Sequence, residues 1–138
     1  MKFKQILNVK KQALQNAELD LNKAKLRKKS VENELELVKN EINKLKEPTT
    51  LNEMVLVNDF IQVNLLKQSQ LKEKLSLCDK EISHYNHLYK RASLDYEKIK
   101  YLYEEELKQK KKALEKKQAL ELDEIATMRF FANSQSNN

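Results

Sequence analysis

The stretch FKQILNVKKQALQNAELDLNKAKLRKKSVENELELVKNEINKL, residues 3–45, decides the fold. Taken in alternating steps of four and three it yields Phe3, Leu7, Lys10, Leu14, Ala17, Leu21, Ala24, Lys28, Val31, Leu35, Val38, Ile42 and Leu45, and eleven of these 13 positions are apolar. A stripe recurring every 3.5 residues is narrow, and it asks for one supercoiling partner helix instead of a broad core. Pro48 ends the run, and Glu47 before it is biased away from the helical region. Thr50 and Glu53 then have the spacing of a capping box, so a second helix is expected from about Leu51.

The second helix carries its own stripe at Met54, Val57, Ile61, Asn64, Gln68, Leu71, Leu75, Cys78, Ile82, Tyr85, Tyr89, Ala92, Tyr96, Ile99 and Tyr103. Folding back antiparallel pairs residues whose numbers total a constant. A total of 99 serves throughout, setting Leu45 against Met54, Ala24 against Leu75, Leu21 against Cys78 and Phe3 against Tyr96. Its midpoint falls between Thr49 and Thr50, at the expected bend. In this register Leu35 faces Asn64, Val31 faces Gln68, Lys28 faces Leu71 and Lys10 faces Tyr89, and these polar members are expected to fix alignment at some cost in stability. The fold class is therefore all-α, an antiparallel two-helix coiled-coil hairpin forming one domain over residues 1–131. Helix 1 is expected over about 2–47, the bend over 48–50 and a longer helix 2 over about 51–131, with a disordered tail at 132–138.

Composition agrees. The 138 residues include no glycine, one proline and one cysteine, with 40% hydrophobic and 35% charged. Phosphate-cradling loops and tight hairpin corners draw on glycine, so its absence argues against P-loop, Rossmann and most β architectures. Ala, Glu, Lys, Leu and Arg make up 53% of the chain, as long helices do. A formal charge of +6 is modest for a polyanion-binding protein. No targeting segment opens the chain and a lone Cys78 closes no internal disulfide, so a reducing, cytoplasmic setting is expected.

Candidate chemistry is sparse. His84 and His87 stand one helical turn apart but lack further ligands, and Glu104, Glu105 and Glu106 have no enclosing pocket. Cys78 falls in the seam, where a thiol acts as a small hydrophobe. No catalytic residue, metal or cofactor is expected. Tyr85, Tyr89, Tyr96 and Tyr103 among lysines invite comparison with base-stacking rows, yet the seam consumes most of them.

The chain beyond about Glu97 has no internal partner. It carries Ile99, Leu102, Tyr103, Leu107, Leu114, Leu120, Leu122, Ile125, Met128, Phe130 and Phe131. Leu122, Ile125 and Met128 recur at three-residue steps, and an unpartnered helix with apolar residues calls for a partner.

The run Leu122-Asp123-Glu124-Ile125-Ala126 followed by Arg129, closing a charged helix after a hairpin, resembles the signature of the FliJ family, and Phe60-Ile61-Gln62 resembles a family segment after the bend. The resemblance implies a central-stalk-like coiled coil, similar to the γ subunit of rotary ATP synthases. It implies insertion of the end bearing both termini into the hexameric ring of the flagellar export ATPase (FliI), with promotion of its assembly and activity. It also implies contact with the export gate protein FlhA and recycling of export chaperones. The setting would be the cytoplasmic face of the flagellar basal body, with the membrane reached only through partners. The candidate partner-binding residues are Leu114, Leu122, Asp123, Glu124, Ile125, Ala126, Met128, Arg129 and Phe60. Two other readings stay open: a basic helical arm for nucleic acid, and a structural coiled coil that homodimerises through its overhang.

Overall fold

The computed structural model describes residues 2–136. They form two helices, α1 at Lys2–Asn43 and α2 at Leu51–Ser136, packed as an antiparallel hairpin with no strand among the described residues. Thr50 caps α2: its hydroxyl accepts the Glu53 amide at 3.2 Å, and its carbonyl accepts the Met54 amide at 3.0 Å. The Glu53 carboxylate reaches back one residue further than a capping box requires. It accepts from the Thr49 amide at 2.8 Å and the Thr49 hydroxyl at 2.9 Å. These two bonds to Thr49, with the Thr50 amide, hold the Glu53 carboxyl below its ordinary range.

Both helix ends differ from expectation. α1 stops at Asn43, about four residues early, and its end tightens through Lys44-to-Glu41 and Leu45-to-Ile42 backbone bonds at 3.3 and 3.2 Å. Such three-residue closures satisfy terminal carbonyls that have no helical donor, and they leave residues 44–50 free to reverse the chain. α2 continues to Ser136, five residues past the expected end at Phe131, because nothing after Arg129 is a glycine or proline that would stop it. Of the expected tail, 132–136 is thus helical, and residues 137 and 138 lie outside the described residues.

The seam lies where periodicity placed it. All 13 positions of the first stripe are shielded, as are all positions of the second except Met54. Its centre is a cluster of Leu35, Val38 and Leu71, with Val31 and Leu75 packed against it.

The register is not the expected one. The chain divides into two compact units, one of residues 2–11 with 95–136 and one of 12–94. In the first, the Phe3 amide donates to Glu106 at 3.4 Å and Lys10 pairs with Asp95 at 3.9 Å, so the residue numbers total 109 and 105. In the second, Arg27 pairs with Glu81 and Lys28 with Asp79, totals of 108 and 107. The layers are therefore displaced from a total of 99 by one heptad, to about 106. Seven-residue repetition cannot distinguish the two, because every apolar layer recurs after seven residues.

Polar groups distinguish them. At a total of 99 Lys28 faces Leu71 beside Lys72, and Lys10 faces Tyr89 beside Lys90 and Arg91. One heptad on, the two lysines meet Asp79 at 2.7 Å and Asp95 instead. The Asp79 hydrogen bond, then its charge, raises the Lys28 pKa. The shift also moves the midpoint past the Thr49–Thr50 bend into the first turn of α2, so Met54 stands beyond the end of α1 and is 51% exposed.

Candidate functional site

The site begins where α1 stops covering α2. The bond from the Phe3 amide to Glu106 marks that limit, and every side chain from Leu107 to residue 135 is exposed. The overhang thus starts about ten residues later than the expected Glu97, as the displaced register requires. Ile99 and Tyr103, expected in the overhang, are shielded seam residues, while Leu102 remains 41% exposed.

The segment stays helical because its residues are strong helix formers, without glycine or proline. Lys108 pairs with Glu105 at 3.5 Å, and the Thr127 hydroxyl donates to the Asp123 carbonyl at 2.8 Å. At ~100° per residue, Leu107, Leu114, Ile125 and Met128 fall within one strip. Leu122 and Arg129 border this strip, Ala126 lies further round, and Asp123 and Glu124 project elsewhere. Leu120 and Phe131 form a second, shorter strip, with the Phe130 and Phe131 rings edge-on at 6.3 Å.

The eight candidates of the overhang thus share one exposed segment, and three of them, Leu114, Ile125 and Met128, share one apolar strip. Phe60 stands apart in the unit of residues 12–94, 39% exposed, with Leu56 and Val63 one turn to either side. Leu107 was not among the candidates, although its seven-residue spacing from Leu114 is the signal that identifies it. The strip does not continue the α2 seam, which would run through Lys110, Ala113 and Lys117; it is rotated by one residue.

The remaining chemistry resolves locally. Cys78 is half-buried, opposite Lys28 instead of Leu21. The His84 ring packs edge-on against Tyr85 at 5.3 Å. Tyr85, Tyr89, Tyr96 and Tyr103 are shielded, so no row of stacking faces reaches the lysine cluster. Among the described residues no three His, Cys, Asp or Glu side chains converge on a metal position, and no helix is long and apolar enough to cross a membrane.

The model of a protein family described as "Flagellar FliJ protein" matches residues 1–135. Neither the curated proteins nor the solved structures give a match.

Proposed function

The chain belongs to the FliJ family of flagellar proteins, which places it with the flagellar export apparatus, and from that premise we propose that it is a non-enzymatic stalk and adaptor of export. The overhang of α2 enters the ring of the export ATPase and buries its apolar strip against the lining. Phe60 and its apolar neighbours form a further partner surface, and the adaptor also contacts the export gate protein FlhA and assists export-chaperone cycling. One observation carries the reading: Leu107, Leu114, Leu120, Leu122, Ile125, Met128, Phe130 and Phe131 are 37–71% exposed on a helix segment that none of the other described residues covers. Large apolar side chains held open in this number mark a surface meant for another protein.

The basic residues serve approach more than hold. Residues 98–117 carry eight lysines and four glutamates, and residues 1–29 carry nine Lys and Arg with two acids. Such charge raises the association rate with an acidic lining and fades as salt screens it. The test is ATP hydrolysis by the cognate export ATPase with and without this protein; stimulation supports the proposal, and an unchanged rate removes it.

A further inference from the structure

From Leu107 onward the steps of four and three pass through 107, 111, 114, 118, 121, 125, 128 and 132, a repeat rotated away from the hairpin seam and exposed along its whole length. We propose that this strip pairs two copies of the chain, overhang against overhang, antiparallel about a two-fold axis. A two-fold interface requires the strip to complement itself. It does so when paired residue numbers total 239: Leu114 lies against Ile125, Leu107 against Ala132, Lys111 against Met128 and Gln118 against Glu121, each layer occurring twice. The lysine stem packs on the thioether, and the Gln118 amide donates to the Glu121 carboxylate beside the axis.

Charge selects the direction. Residues 108–117 hold six lysines and one glutamate, net +5, whereas 118–131 hold Glu121, Asp123, Glu124 and Arg129, net −2. Antiparallel pairing sets the basic half of each copy on the acidic half of the other and brings Lys117 to Glu124 on the flank. Parallel pairing would set +5 on +5. The one like-charge meeting, Lys108 with Arg129, falls at the solvated end.

Coverage selects the register. One heptad lower, at 232, the second copy would have to lie beside residues 100–106, where α1 already ends on Glu106. One heptad higher, Glu121 would face Ile125 and Leu107 would stay uncovered.

Three to four heptads with a polar centre make a weak, concentration-dependent pair. The proposal does not depend on the export reading: the pair is the state of the chain away from the ring, ring entry by the same strip would have to separate it, and neither measurement below involves ATP hydrolysis. In a Cys78→Ser background, full-length Leu114→Cys and Ile125→Cys proteins are oxidised separately and mixed. The expected result is a disulfide-linked dimer several-fold more abundant in the mixture than in either alone. Equal linkage in the separate samples overturns the antiparallel direction, and preferred linkage of Leu107→Cys with Ile125→Cys overturns the register. Sedimentation equilibrium of the unmodified chain is expected to rise with concentration from 16.4 kDa toward twice that mass. The Gln118→Leu, Glu121→Leu variant is expected to associate at least ~10-fold more tightly, since apolar residues replace the polar central layers. A mass fixed at 16.4 kDa for both proteins at all concentrations overturns the pairing.

Discussion

Asn64 donates its side-chain amide to the Val38 carbonyl at 2.8 Å across the seam, and at 2% exposure it is the most deeply buried polar residue of the hairpin. Its own oxygen accepts from the Gln68 amide at 2.7 Å, so no buried side-chain polar atom is unsatisfied among the described residues. An asparagine inside an apolar stripe costs stability wherever it lacks a partner, which penalises every alignment that takes it away from Val38.

Asn64→Ala removes that bond, leaves a hole and strands the Gln68 amide. The expected loss is about 1–3 kcal/mol of unfolding free energy, read by chemical denaturation. A loss within error would show that the Asn64 bond to Val38 does not help to hold the seam.

The displaced register makes a second expectation. Cys78 lies at the level of Lys28, so Lys28→Cys should close an internal disulfide on oxidation and Leu21→Cys should not. Leu21 stands one heptad away, ~10 Å along the axis, beyond the ~4.4–6.8 Å that a disulfide tolerates between α-carbons. Linkage of Leu21→Cys with no linkage of Lys28→Cys would restore the total of 99.

How far the sequence reaches can be traced through these same residues. Phe3, Leu35 and Leu71 declare the seam through spacing alone, and Pro48 with Thr50 and Glu53 declares the bend. The level at which the helices meet is not in the apolar pattern, because a heptad repeat looks the same after each shift of seven. It was carried by Lys10 and Lys28, whose partners Asp95 and Asp79 are recognisable only when charge matching is weighed beside the stripe; the Asn64 bond to Val38, at a total of 102, lies between the two registers and is compatible with both. The overhang inherits the same displacement: Ile125 is legible as unpartnered, whereas Ile99 and Tyr103 are not separable from it until the register is known.

The start of α2 has its own pH signature. Donation from the Thr49 amide and hydroxyl lowers the Glu53 pKa in the folded chain, so its stabilising contribution is full above the ordinary carboxylate range. That contribution is lost as pH falls through the lowered folded value. Glu53→Gln should therefore flatten the fall in melting temperature below about pH 5, with little change at pH 7 to 8 in the slope against pH. Identical acid limbs for the two proteins would show that the bond does not form in solution.

Seam and overhang should separate cleanly in truncation to alanine. Leu71 is 6% exposed in the Leu35–Val38 cluster, and Leu71→Ala should cost about 2–4 kcal/mol. Leu122 is 66% exposed, and Leu122→Ala should fall within about 0.5 kcal/mol of the parent. Equal losses in the two variants would mean that the overhang folds against something within the chain.

The partner surface rests on apolar contact more than on charge. Ile125 is 47% exposed on the strip with Leu114 and Met128, with no cover from the other described residues. Complete burial of such a side chain contributes about 1.5–3 kcal/mol, and an exposed lysine pair contributes below about 1 kcal/mol. A carboxylate placed there faces a further desolvation cost in any apolar lining. Ile125→Asp should accordingly abolish stimulation of the export ATPase while leaving the melting temperature of the hairpin nearly unchanged, because Ile125 lies outside the seam. Replacing Lys116 and Lys117 by glutamine should slow association at low salt and converge with the parent as salt rises. Full stimulation by a folded Ile125→Asp protein would take the overhang out of the mechanism and move attention to Phe60 with Leu56 and Val63, another apolar surface that α2 leaves open.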